Sequence, residues 1–140
     1  MGKAREPAPV KLIVSVFTRD VTMLAVARGA LGGLFGPVDY RSETLPFDNT
    51  SYYEREFGPN LVREILAFST LIAPQELASV KLKTNELERT WRVDSKRVVN
   101  LDPGYVTLGK LVLATTKDYS HRIYLGEGIY GEVTLKYEHG

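Results

Sequence analysis

The sequence predicts an α+β domain: a ferredoxin-like split βαβ sheet in the order β-α-β-β-α-β, extended by a C-terminal helix and β-hairpin. Three observations carry this expectation. Lys11-Leu-Ile-Val-Ser-Val-Phe17 is a β-branched apolar run that reads as a central strand. Two stretches of helical periodicity alternate with three further runs of strand character. The chain then closes on apolar alternation around Gly126-Glu-Gly128, which reads as a hairpin with a three-residue turn. A three-layer α/β sheet is the alternative arrangement of the same elements.

Residues 1–9 are polar and proline-rich and read as a flexible tail, leaving 10–140 as one domain. After the first strand, Asp20 is an N-cap for a helix whose stripe is Val21, Leu24, Leu31, Leu34 and Phe35, ended by Gly36-Pro37. Gly29, Gly32 and Gly33 weaken this helix and suggest close packing on a sheet. Val38–Thr44 alternates as a second strand, and Val62–Ile72 reads as a third. Between them lies a polar-aromatic connector from Pro46 to Asn60, a length that in compact domains is usually functional or mobile. Pro74 opens a second helix with Leu77, Val80, Leu87 and Trp91 on one stripe, ending near Arg92. Lys96–Leu101 is a short strand, turned by Asp102-Pro103-Gly104. Leu108, Leu111, Val112 and Thr115 favour a helix over Thr107–Thr116, with a buried strand as the other reading. In the hairpin, Ile123, Leu125, Ile129, Val133 and Leu135 form the packing face. Tyr124 stands opposite Tyr130 and Arg122 opposite Glu132.

Composition excludes several functions. With 140 residues the chain can bury ~70% of its unfolded surface, so it needs no disulfide or metal staple. A net charge of +1 supplies no whole-protein field toward nucleic acid or an acidic membrane. The absence of cysteine removes thiolate metal sites, iron–sulfur ligation and a Cys nucleophile, and fits a reducing cytosol. No apolar run approaches the ~20 residues of a membrane span, and no signal peptide is visible. The cytoplasm is therefore the expected location. With two histidines in the chain, a histidine-rich metal site is not expected, while a carboxylate-held Mg²⁺ remains open.

The residues able to do chemistry gather in the last third and on the second helix. Lys81, Asn85 and Glu88 fall on one helical face beside the apolar stripe; the bland alternative is a solvated face with a Lys–Glu pair. Lys110 and Lys117, seven apart on the expected helix, would share a face and converge with His121 and Arg122 on a phosphate or carboxylate. Solubilising charge and an Arg122–Glu132 pair explain the same residues without a ligand. His121 suits a general acid or base, with Asp102 or Glu88 orienting it or a metal. Asp102 is also ordinary turn chemistry. In the connector, Asp48, Glu54 and Glu56 with Tyr52 and Tyr53 offer a second carboxylate group. There is no GxxxxGK[ST] phosphate loop and no RNP1 pattern, although exposed Tyr124 and Tyr130 would allow base stacking.

Gly2-Lys-Ala-Arg5 with Pro9-Val-Lys-Leu12, Phe35-Gly-Pro37, Phe47-Asp48, Tyr52-Tyr-Glu54, Thr84-Asn-Glu-Leu-Glu88, Asn100-Leu-Asp-Pro-Gly-Tyr105, Lys110–Asp118 and His121–Tyr130 together resemble the domain of unknown function 4416 family of bacterial proteins. The resemblance covers nearly the whole chain. It implies no established reaction, although some members carry an automatic GTP-binding label. Members typically continue past the hairpin, so a fragment and a short variant are both open, and a further C-terminal element that completes the site is an expectation. Because the polar residues coincide with the family's motifs, the resemblance implies one site built from Asn85, Glu88, Asp102, Lys110, Lys117, His121 and Arg122; Tyr124 is expected beside Lys110, Lys117, Arg122 and Asn85 as a ligand-binding residue. The leading expectation is a protein that binds a small anionic or phosphorylated ligand, with an enzyme among the open readings. A non-catalytic RNA- or protein-binding module and a structural subunit are the alternatives. Oligomeric state is not legible.

Overall fold

A computed structural model describes residues 1–46, 54–57 and 60–138. Its strands are β1 (Lys11–Thr18), β2 (Val38–Arg41), β3 (Leu45–Pro46), β4 (Val62–Phe68), β5 (Val99–Val106), β6 (Lys110–Thr115), β7 (Ile123–Gly126) and β8 (Ile129–Lys136). The helices are α1 (Val21–Phe35), the single turn α2 (Glu54–Phe57) and α3 (Leu77–Thr90), the last preceded by a 3₁₀ turn over Pro74–Glu76. One eight-stranded sheet runs β2-β4-β1-β5-β6-β8-β7, with β3 also on β4, and every pairing in it is antiparallel. This makes the fold α+β.

β1 is central, as its apolar run predicts. Leu12, Val14 and Val16 point to the helix side and pack with Leu24, Ala27 and Leu31 of α1, Val80 of α3, Leu66 and Phe68 of β4, and Val99 and Leu101 of β5. Asp20 caps α1, its carboxylate accepting from the Thr22 N–H at 3.0 Å and the Thr22 hydroxyl at 2.6 Å. Those bonds hold the Asp20 carboxyl below its usual range. A carboxyl so depressed contributes stability above its unfolded pKa and loses it as the pH falls through the folded value. Asp20→Ala is therefore expected to lower the melting temperature at neutral pH, with the deficit shrinking in acid; a pH series of thermal melts checks it.

Several expectations are corrected. Thr107–Thr116 is not a helix: Lys110–Thr115 is strand β6. Val112 and Ala114 are buried against Leu77 and Ala78 of α3, while Leu111 and Leu113 alternate to the other face. Asp102-Pro103-Gly104 is not a turn but mid-strand, because β5 continues to Val106. Pro103 is tolerated there because the β5–β6 pairing begins only at Gly104, and proline fits an unpaired stretch of strand edge. The second and third strands end at Arg41 and Phe68, earlier than expected. The hairpin turn is the two residues Glu127 and Gly128, at φ 56° and 79°, between paired Gly126 and Ile129. Gly29, Gly32 and Gly33 make no close approach: a Cβ at each would meet nothing within 4 Å. Ile123, Leu125, Val133 and Leu135 are exposed rather than packed, whereas Ile129 is buried beneath α3. The Tyr124–Tyr130 register stands as expected.

Candidate functional site

The sheet parts in the middle. β5 and β6 pair only where Gly104, Tyr105 and Val106 meet Leu113, Val112 and Leu111. Toward its start β5 stays against β1, whereas β6 runs on against β8, so the strands fork. The edge of β5 left without a strand is engaged by α3. Glu88 Oε2 accepts from the Leu101 N–H at 2.7 Å, and Lys81 Nζ donates to the Leu101 carbonyl at 3.3 Å. Lys81 and Glu88 are two helical turns apart and so share a face, with Thr84 between them donating to the Lys81 carbonyl at 2.9 Å. Two side chains thus replace the backbone partners that a strand would supply, leaving no orphaned buried amide at Leu101.

A cleft of about 330 Å³ opens at this fork. Its β5 wall is a hydrogen-bonded chain. Arg97 donates from Nε to Glu56 Oε2 at 2.8 Å and from one terminal nitrogen to Glu56 Oε1 at 3.0 Å; the other terminal nitrogen donates to Asn100 Oδ1 at 2.7 Å. Asn100 Nδ2 then donates to Asp102 Oδ2 at 2.8 Å, and Asp102 Oδ1 faces Lys81 Nζ at 3.8 Å. Asn100 and Asp102 share a strand face because they alternate on β5. The Arg97 guanidinium also lies 5.0 Å over the Phe57 ring. The other wall comes from the end of β6 and the hairpin. Arg122 Nε donates to Glu132 Oε1 at 2.9 Å, a terminal nitrogen donates to the Lys117 carbonyl at 3.2 Å, and the guanidinium covers the Tyr119 ring at 4.4 Å. His121 Nε2 lies 2.9 Å from the same Glu132 oxygen. Among the described residues, Lys81, Arg97, Lys117 and Arg122 set four cations against the two carboxylates Asp102 and Glu132.

Burial pushes the Glu88 carboxyl up, against the lowering effect of the Leu101 N–H, Lys81 and Arg97. Hydrogen bonds from Arg122 and from Arg97 hold the Glu132 and Glu56 carboxyls below their usual range.

Of the residues singled out by sequence, Lys81, Asp102, Lys117 and Arg122 line the cleft together. Glu88 lies directly beneath, and His121 reaches the rim through Glu132. Lys110 is elsewhere. It begins β6 and borders a separate groove beside Pro7–Lys11, so roughly 16 Å of extended strand divides it from Thr115. The shared face with Lys117 presupposed a helix. Asn85 is half-buried on α3 outside the cleft lining. The Tyr124 ring packs against that of Tyr130 at 5.1 Å with the planes tilted by 58°, and its hydroxyl oxygen accepts from the Gly128 N–H at 3.0 Å. Asp48, Tyr52, Tyr53 and the Glu54 side chain lie outside the described residues, and Glu56 is bound to Arg97. Among the described residues, no three Asp, Glu or His side chains gather as a metal site. Sequence reasoning did not single out Arg97, Asn100 or Tyr119 for the site. The usable signal was the i, i+2 spacing of Asn100 and Asp102, which puts both on one face once the segment is read as a strand.

Fold and cleft together define an α+β protein with an antiparallel sheet and a polar, cation-rich cleft at a parting of its strands. The family model Domain of unknown function (DUF4416) matches residues 8–140, and the chain belongs to that family. No curated protein and no solved structure matches it. Among the described residues, no helix is long and apolar enough to cross a membrane.

Proposed function

We propose that this is a cytosolic protein of ferredoxin-like type whose cleft binds a small anion, a phosphate or carboxylate group. The fold reading is supported by the order β2-β4-β1-β5, with α1 joining β1 to β2 and α3 joining β4 to β5. The functional reading rests on Lys81. Its side chain is 10% exposed, yet its ammonium makes one hydrogen bond, to Leu101, and faces Asp102 beyond hydrogen-bond distance. A buried ammonium has three donors and is costly to leave underused. An anion in the cleft would supply the missing acceptors, with Lys117 and Arg122 as its other cationic neighbours. The volume suits a small ligand rather than a dinucleotide. If the site is catalytic, Asp102 is the carboxylate placed to take a proton. Glu88 instead serves the Leu101 N–H, and His121 stands at the rim as a proton donor or acceptor.

The tyrosine face supports the RNA- or protein-binding alternative less well, because Tyr124 closes the hairpin. Inorganic phosphate is the first probe. Binding stabilises by mass action, about 2.7 kcal/mol at a hundredfold excess over Kd. The melting temperature of the wild-type protein should rise with the logarithm of phosphate concentration above Kd, and Lys81→Met should abolish the rise. An equal rise in the variant would remove Lys81 from the site, and no rise in the wild type would sink the proposal.

A further inference from the structure

Resting on that reading, we infer that the cleft selects phosphate esters that carry a hydrogen-bond donor, a hydroxyl or an amine, beside the phosphate, and that Asp102 reads that donor. The carboxylates around the cleft differ in how far they are occupied. Glu132 Oε1 faces both Arg122 and His121 at 2.9 Å. Glu88 is 9% exposed and spent on Leu101 and Arg97. Asp102 accepts one hydrogen bond, from Asn100, and its side chain is 41% exposed. A carboxylate has about four lone-pair positions, so Asp102 retains acceptor capacity on its open side.

Position turns that capacity into selectivity. Asp102 Oδ1 is 3.8 Å from Lys81 Nζ, so an anion bonded to Lys81 comes close to the Asp102 charge. The attraction of Lys81 for an anion without such a donor is partly offset there by the Asp102 charge. A ligand with a hydroxyl or ammonium next to its phosphate presents a donor to Asp102 instead, and the repulsion becomes a charge-assisted hydrogen bond. Asn100 holds Asp102 in place, and Asn100 is itself held by Arg97, so the acceptor is preorganised.

Calorimetric titration of the wild-type chain with inorganic phosphate, propyl phosphate, glycerol 3-phosphate and phosphoethanolamine tests this. At least one donor-bearing ester should bind about tenfold tighter than propyl phosphate, the worth of one charge-assisted hydrogen bond. Whether glycerol 3-phosphate or phosphoethanolamine shows the gain identifies the donor as hydroxyl or amine. Asp102→Ala should close the gap by weakening the donor-bearing ester while leaving propyl phosphate unchanged or tighter; Asp102→Asn should close it in part. Equal binding of all three esters to the wild type, or a gap that persists in Asp102→Ala, overturns the inference while leaving anion binding standing. Failure of every compound, inorganic phosphate included, overturns both.

Discussion

Glu88→Ala is expected to destabilise the protein by about 3 kcal/mol, the range for removing one partner of a buried charge pair. Three losses combine. The Leu101 N–H loses its 2.7 Å acceptor at an edge where no strand replaces it. Arg97 loses the carboxylate at 3.5 Å. Lys81 loses a neighbouring negative charge that offsets its burial. The urea midpoint should fall with the m-value unchanged. Glu88→Gln keeps an acceptor for Leu101 and should cost about 1 kcal/mol, one ordinary hydrogen bond's worth. Because burial raises the Glu88 carboxyl, the folded state binds that proton more tightly than the unfolded state does. Ionisation at Glu88 therefore opposes folding above the raised pKa, and the penalty is relieved as the pH falls through it toward the unfolded value. The wild type should gain on Glu88→Gln as the pH drops through that window. A gap that instead narrows on acidification would mean the carboxylate is not desolvated.

Gly104→Ala is expected to cost about 2–3 kcal/mol, at the upper end for overpacking. A Cβ at Gly104 would stand 2.4 Å from the Val112 carbonyl oxygen and 2.7 Å from Leu113 Cδ2. The nearer atom is backbone and cannot rotate aside, so β5 and β6 must separate at the place where they are joined. Because the cleft begins at that joint, the variant should also lose phosphate affinity, which an equivalent clash elsewhere in the core would spare. Equilibrium unfolding and a phosphate titration on the same sample read the two effects. Wild-type stability in Gly104→Ala would show that the two strands can part at this joint without cost.

The first helix, the central strand and the hairpin register were legible because their patterns are unambiguous. Lys11–Phe17 is β-branched and apolar, Asp20 stands one residue ahead of a helical stripe, and Tyr124 and Tyr130 flank a glycine turn at matching distances. The middle of the last third was not legible. Leu108, Leu111, Val112 and Thr115 satisfy a period of 3.6, but the segment is short enough for β5 and β8 to claim it as a strand. Asp-Pro-Gly carries a strong local turn signal, yet the ladder between β1 and β5 is continuous from Thr18–Val99 through Lys11–Val106 and overrides it. Long-range pairing, not local preference, decides the conformation there. The convergence of Lys110 with Lys117 fell with the helix that implied it. Arg97 escaped notice because its partners, Glu56 and Asn100, come from a distant turn and from a strand that begins at Val99 rather than Lys96.

The fork also divides the sheet mechanically into two plates, β2-β4-β1-β5 and β6-β8-β7, joined directly by the three residue pairs at Gly104–Val106. Lys81 and Asp102 belong to the first plate and the helix that follows its β4, while Lys117 and Arg122 belong to the second. A molecule touching both sets would act as a brace across the seam, stiffening the protein along a line where its own backbone offers only a short weld.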